Sequence, residues 1–75
     1  MPRFRKIPIE IEAVQWFSGD AHPGVYMRDG RPYVITIHGQ DTYIAPGDWL
    51  IPEEKEGCYY PVKPEVFAKT YEEIK

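Results

Sequence analysis

Hydrophobic and polar residues alternate with a period of two over much of the chain. Ile7, Ile9 and Ile11 alternate with Pro8, Glu10 and Glu12, the pattern of a half-buried strand. The phase then slips, because Val14 and Trp16 fall on even positions. A bulge near Glu12–Ala13 would restore one buried face and bend the strand. Pro8 cannot donate to a ladder, so this end is expected to be an edge or a strand start. "SGDAHPG" (18–24) is loop chemistry throughout. "VYMRDGRPYVITI" follows as a hairpin, since Asp29-Gly30 suits the two positive-φ positions of a type I′ turn. Tyr33, Ile35 and Ile37 would share one face, and Val34, Thr36 and His38 the other.

A second turn, "HGQD", leads into "TYIA". Pro46-Gly47 fits the centre of a type II turn, with proline setting φ at the first position and glycine supplying positive φ at the second. "DWLI" is the next strand, closed by Pro52, and "EEKEG" reads as a charged, solvated loop. "CYYPV" is a short last strand which Pro61 confines to an edge. From Pro64 the period changes. Val66, Phe67, Thr70, Tyr71 and Ile74 form one helical stripe, with proline at the first helical position and Glu65 at the positive end of the dipole. The expected fold is α+β: a small antiparallel β-sheet or half-open barrel of about five strands, with one C-terminal α-helix (64–75) packed on it. Residues 1–75 are expected to form a single domain, with 1–6 as a flexible leader.

Composition adds three constraints. A chain of 75 residues buries only about 60% of its unfolded surface, so its core needs reinforcement. Cys58 is the only cysteine, which rules out a disulfide within the chain. His22, His38 and Cys58 show no metal-site spacing, and no cofactor is implied. Dense aromatic packing and self-association remain as reinforcement. Eleven aromatics suggest an aromatic-weighted core, and a homo-oligomer is expected. The net charge of −3 makes duplex nucleic acid a poor partner, although Arg3, Arg5 and Lys6 form a basic leader, read as a solvated end. No signal-peptide core or membrane-length apolar run is present. The lone cysteine fits a reducing compartment, the cytoplasm of a host cell.

Three ordered segments, "IEAVQWF", "APGDWLI" and "EGCYYPVKPEVFAKTYEEI", resemble a family of short proteins encoded by tailed phages and prophages. The family pattern is E-A-x-Q-W, then P-G-D-W, then G-x-x-Y-P-x-K-P-x-x-F-x-x-T-Y-E. It falls here on Glu12, Ala13, Gln15, Trp16, Pro46, Gly47, Asp48, Trp49, Gly57, Tyr60, Pro61, Lys63, Pro64, Phe67, Thr70, Tyr71 and Glu72. The likeness covers the chain from about residue 7. It implies a phage or mobile-element origin without specifying an activity. The family often carries cysteine directly after Y-P, where this chain has Val62 and places Cys58 ahead of the tyrosines. Such migration argues against Cys58 as a nucleophile.

Candidate chemistry is sparse. Asp48 in "PGDW" could serve as a base or ligand, but the simpler role is to hydrogen-bond turn backbone while Trp49 fills the core. Cys58 would need a histidine, His22 or His38, to activate it. His38 and Asp41 could pair as acid and base at a strand end, although a turn histidine without a catalytic role is the simpler reading. The glutamates of "PEEKE" read as solvent-facing. One sharper arrangement stacks a base on an aromatic ring and holds its phosphate with Arg28, Arg31 or Lys63. Lys63 leads because it lies inside the family pattern. Gln15 and Trp16 come next, as an amide beside an indole.

The expected function is therefore that of a non-enzymatic phage-type accessory protein that binds a host protein or a small nucleotide-like ligand, with counter-defence as one setting. Catalytic residues and metal ligands are expected to be none. The competing readings are a nucleotide-signal sponge built on Lys63, Gln15, Trp16, Arg28 and Arg31, a small thiol enzyme or hydrolase using Cys58 or His38, and a virion component.

Overall fold

In a computed structural model, the structure describes residues 2–4 and 10–74. Among these residues six short strands precede one helix: β1 (Val14–Gln15), β2 (Tyr26–Arg28), β3 (Arg31–Ile35), β4 (Asp41–Tyr43), β5 (Trp49–Pro52), β6 (Tyr59–Val62) and α1 (Pro64–Thr70). The strands form two antiparallel three-stranded sheets, ordered β1-β5-β6 and β2-β3-β4. The α+β class and the C-terminal helix agree with the sequence. Among the described residues the strands number six and form two sheets, where the sequence leads one to expect about five in one sheet or a half-open barrel.

Turn chemistry accounts for the β2-β3-β4 sheet. Asp29 and Gly30 both take positive φ, 51° and 76°, as a type I′ turn demands, and Arg28 pairs with Arg31 across it. Gly39 (φ 77°) turns the chain into β4, and the Thr36 N–H donates to the Gln40 carbonyl at 2.9 Å. The carbonyl of Ala45 accepts from the N–H of Asp48 at 3.1 Å across Pro46-Gly47, with Gly47 at φ 96°, which closes the expected type II turn. Pro61 sits in β6, an edge of its sheet.

The core lies where the sheets meet. Trp16, Val34, Ile44 and Leu50 form one buried cluster, with Val25 and Tyr59 packed against it. Gly24 is needed here for space: a Cβ at this position would lie 2.2 Å from the Tyr59 ring. The core is mostly aliphatic, which corrects the expectation of an aromatic-weighted one. Trp16 is its only buried ring among the described residues. Two thin sheets cannot enclose rings on both faces, so most aromatics lie half-buried or exposed and pack on one another instead.

Three further expectations change. Strand pairing of the first segment is confined to Val14–Gln15 among the described residues, and residues 10–13 are not in a strand. Ile7, Pro8 and Ile9 lie outside the described residues, as do Met1, Arg5 and Lys6 of the leader. Val14 does not share the buried face of Trp16: it is half exposed, whereas Trp16 is buried. The helix stops at Thr70, because Tyr71 turns extended (φ −125°, ψ 155°) and its N–H caps the Phe67 carbonyl. Ile74 therefore leaves the stripe and is exposed. Glu53 is not merely solvated, since its carboxylate accepts from the Ile37 N–H and ties the loop after β5 to the end of β3.

Among the described residues no helix is long and apolar enough to cross a membrane.

Candidate functional site

The three pattern segments converge on the Pro46-Gly47 turn. The Trp16 N–H donates to the Asp48 carbonyl at 2.9 Å, and the Gly47 N–H donates to the Trp16 carbonyl at 2.7 Å. The Gln15 side-chain amide donates to the Gly47 carbonyl at 3.0 Å. Asp48 is buried. Its Oδ2 accepts from the Ala45 N–H at 3.0 Å, as expected of a turn aspartate. Lys63 Nζ closes the arrangement from the last residue before α1, at 3.1 and 3.2 Å from the two carboxylate oxygens. A buried carboxylate must be paired, and a half-exposed ammonium pairs it while keeping part of its own hydration. Gln15, Asp48 and Lys63 thus spend their polar groups on one another and on turn backbone.

Trp16 joins this node through its backbone, and the two arginines lie elsewhere. The Trp16 indole N–H donates to the Asp20 carbonyl at 3.2 Å, and the ring lines a concavity of about 610 Å³ with His22, Met27 and Pro32. Arg28 and Arg31 lie on the other sheet. Arg28 pairs with Asp41 at 2.7 Å and sits 4.6 Å from the Tyr33 ring centroid, and Asp41 holds its guanidinium above the ordinary value. Arg31 stacks on Tyr43 at 3.9 Å. The five candidates therefore form two groups: Lys63, Gln15 and Trp16 around the turn, and Arg28 and Arg31 on the tyrosines of β3 and β4.

The candidate nucleophile and acid–base residues are also dispersed. Cys58 is buried, and among the described residues no imidazole hydrogen-bonds its thiol. Asp41 faces Arg28, and His38 is exposed in its turn. His22 Nδ1 accepts from the Gly24 N–H at 3.0 Å, and its ring meets Tyr59 edge-on at 4.8 Å. Burial holds the His22 imidazole below its ordinary pKa. No three of His, Cys, Asp and Glu converge to hold a metal among the described residues.

A different site emerges from the rings. Trp49 does not fill the core. It stacks on Phe67 with centroids 4.1 Å apart and planes 5° apart. Phe67 in turn stacks on Tyr71 at 4.8 Å. The Tyr71 hydroxyl shares a hydrogen bond with Tyr60 at 3.3 Å, and this bond pushes the Tyr60 phenol up to about 12. The three stacked rings line an open groove of about 900 Å³, together with Ile11, Ala13, Ala68 and Ile74. Among the described residues its charged lining is acidic: Glu10 and Glu12 ahead of β1, and Glu72 and Glu73 beyond α1.

Sequence reasoning missed this groove. Two signals pointed toward it. Phe67 and Tyr71 stand four residues apart, the spacing that puts side chains on one helical face, and glutamates flank both ends of the pattern. Nothing local told that Trp49 would leave the core to join the stack.

No family model, curated protein or solved structure matches the chain.

Proposed function

We propose that this chain is a non-enzymatic binding module of phage or prophage type that acts by engaging a host protein. The observation supporting this reading is the groove of stacked Trp49, Phe67 and Tyr71. Large rigid rings in an open concavity are what protein interfaces use as anchors. The reactive side chains point the same way. Asp48 is committed to Lys63 and Asp41 to Arg28, and the Cys58 thiol is buried. The origin rests on the resemblance of the three pattern segments, and interference with a host defence system is the biological setting it suggests.

The test is native mass measurement of the tagged chain purified from bacteria. A protein partner at fixed stoichiometry, lost with Trp49→Ala and retained with Cys58→Ser, is the expected result. Rapid labelling of Cys58 at neutral pH would transfer the argument to a thiol enzyme. A bound nucleotide in place of a protein would favour the sponge reading.

A further inference from the structure

The two aromatic sets of the molecule are charged in opposite ways. On the β2-β3-β4 sheet the tyrosines already carry guanidiniums of the same chain, Arg28 over Tyr33 and Arg31 over Tyr43. In the groove, Trp49, Phe67 and Tyr71 are surrounded by Glu10, Glu12, Glu72 and Glu73, and among the described residues no lysine or arginine lines it. A ring face attracts a cation through its quadrupole, and indole does so best. Carboxylates beside the rings supply the bidentate acceptors a guanidinium needs. A phosphate or carboxylate ligand would meet repulsion from the same four side chains.

We propose that the groove docks an arginine-bearing segment of a partner protein, its guanidinium placed against the Trp49–Phe67–Tyr71 stack and paired with the flanking glutamates. This rests on the binding-module reading and adds the chemistry of the partner. Arginine fits better than lysine, because its planar, weakly hydrated head can stack on a ring and fork to a carboxylate at once. The aliphatic edge formed by Ile11 and Ile74 suits the methylene stem of such a side chain. The stack itself is braced from below by the Tyr60–Tyr71 bond, so the rings are held in place before a ligand arrives, which lowers the ordering cost of binding.

Calorimetric titration of the full chain with a short glycine-serine peptide bearing three arginines tests this, with citrulline and glutamate versions of the same peptide as controls. The arginine peptide is expected to bind, with an affinity that falls as salt rises, and to bind roughly tenfold or more tightly than the citrulline version. Glu12→Lys with Glu72→Lys and Glu73→Lys changes only exposed rim positions and is expected to abolish that preference while the fold, followed by circular dichroism, persists. Arg28→Ala and Arg31→Ala are expected to leave it unchanged. Equal affinity for the arginine and citrulline peptides, or preference for the glutamate one, overturns the proposal. So does sedimentation showing the groove covered by a second copy of the chain. If the peptides fail while a stoichiometric partner is still lost with Trp49→Ala, the arginine specificity falls and the binding-module reading stands. If both fail, both fall.

Discussion

The two sheets of this protein are built by different kinds of information. The β2-β3-β4 sheet joins strands that follow one another in the chain, and its geometry is set by turns at Asp29-Gly30 and around Gly39. The β1-β5-β6 sheet adds the distant β1 to the β5-β6 hairpin, and that union is held by a hydrogen-bonded node between segments, with Gln15 reaching Gly47 across 32 positions and Lys63 reaching Asp48. The first sheet is a local product. The second is complete only once β1 has met the β5-β6 hairpin, and it draws on the segments around Gln15, Asp48 and Lys63. Pro46-Gly47 sets the turn at its centre, but the long-range bonds of Gln15 to Gly47 and of Lys63 to Asp48 are what turn propensity cannot specify.

The most severe break of that comparison removes the side chain on which both sheets depend. Leu50 of β5 and Val34 of β3 are each fully buried in the shared cluster. Leu50→Ala should destabilise by about 2–5 kcal/mol through lost transfer energy and the cavity left behind. A domain of this length carries only about 4–11 kcal/mol in total, so urea unfolding should show a large drop in midpoint with both sheets lost together. If amide exchange instead showed the β2-β3-β4 sheet surviving while β5 opened, the sheets would be separate folding units and the cluster would not join them.

The next effect separates the sheets. Asp48→Ala removes the acceptor of the Ala45 N–H and the partner of Lys63, and is expected to cost about 2–3 kcal/mol, the range for a buried hydrogen-bonded charge. Lys63→Met should cost a similar amount, because the buried Asp48 carboxylate keeps its backbone donor but loses the cation paired with it. On the other sheet, Arg28→Ala breaks an ion pair of similar look, but between exposed side chains, and should leave the melting temperature unchanged at physiological salt. Thermal melts of the three variants check the order. A loss with Arg28→Ala equal to that with Asp48→Ala would show that the node has no special standing.

This contrast also explains how much the sequence revealed. Asp29-Gly30, Pro46-Gly47 and the edge position of Pro61 were legible because each depends on the φ preference or the missing donor of one or two residues. The turn-binding of Asp48 was legible for the same reason. Lys63 was singled out, but as a ligand-holding residue, since nothing in "VKPEV" says that a buried carboxylate lies 3.1 Å from its ammonium. The rings depart from the expected core because residue type sets apolarity and not position. Trp49 is apolar enough for a core, yet its position against Phe67 is set by where α1 begins after β6, a tertiary outcome. The end of the helix is a tertiary outcome likewise. Spacing alone continues the stripe through Ile74, whereas Tyr71 leaves the helix with its ring against Phe67 and its hydroxyl against Tyr60.

The smallest expected effect concerns the loop between β1 and β2, where the sheets touch through Gly24 and Tyr59. His22 accepts the Gly24 N–H at Nδ1, which requires that nitrogen to be unprotonated. Burial lowers its pKa in the folded chain, while the unfolded chain titrates near about 6.5. Above that value both states are neutral and His22 imposes no pH dependence. As pH falls below it, the unfolded state takes up a proton that the folded state resists, so stability declines until the folded pKa is passed. Between about pH 6.5 and 5, before most carboxylates titrate, the melting temperature should therefore drift downward. His22→Gln should flatten that slope, and His38→Gln, at an exposed turn of the local sheet, should preserve it. Proton NMR of the imidazole gives the direct reading. A His22 midpoint at or above 6.5 would mean that the ring is solvated and that the contact between the two sheets does not depend on its neutral form.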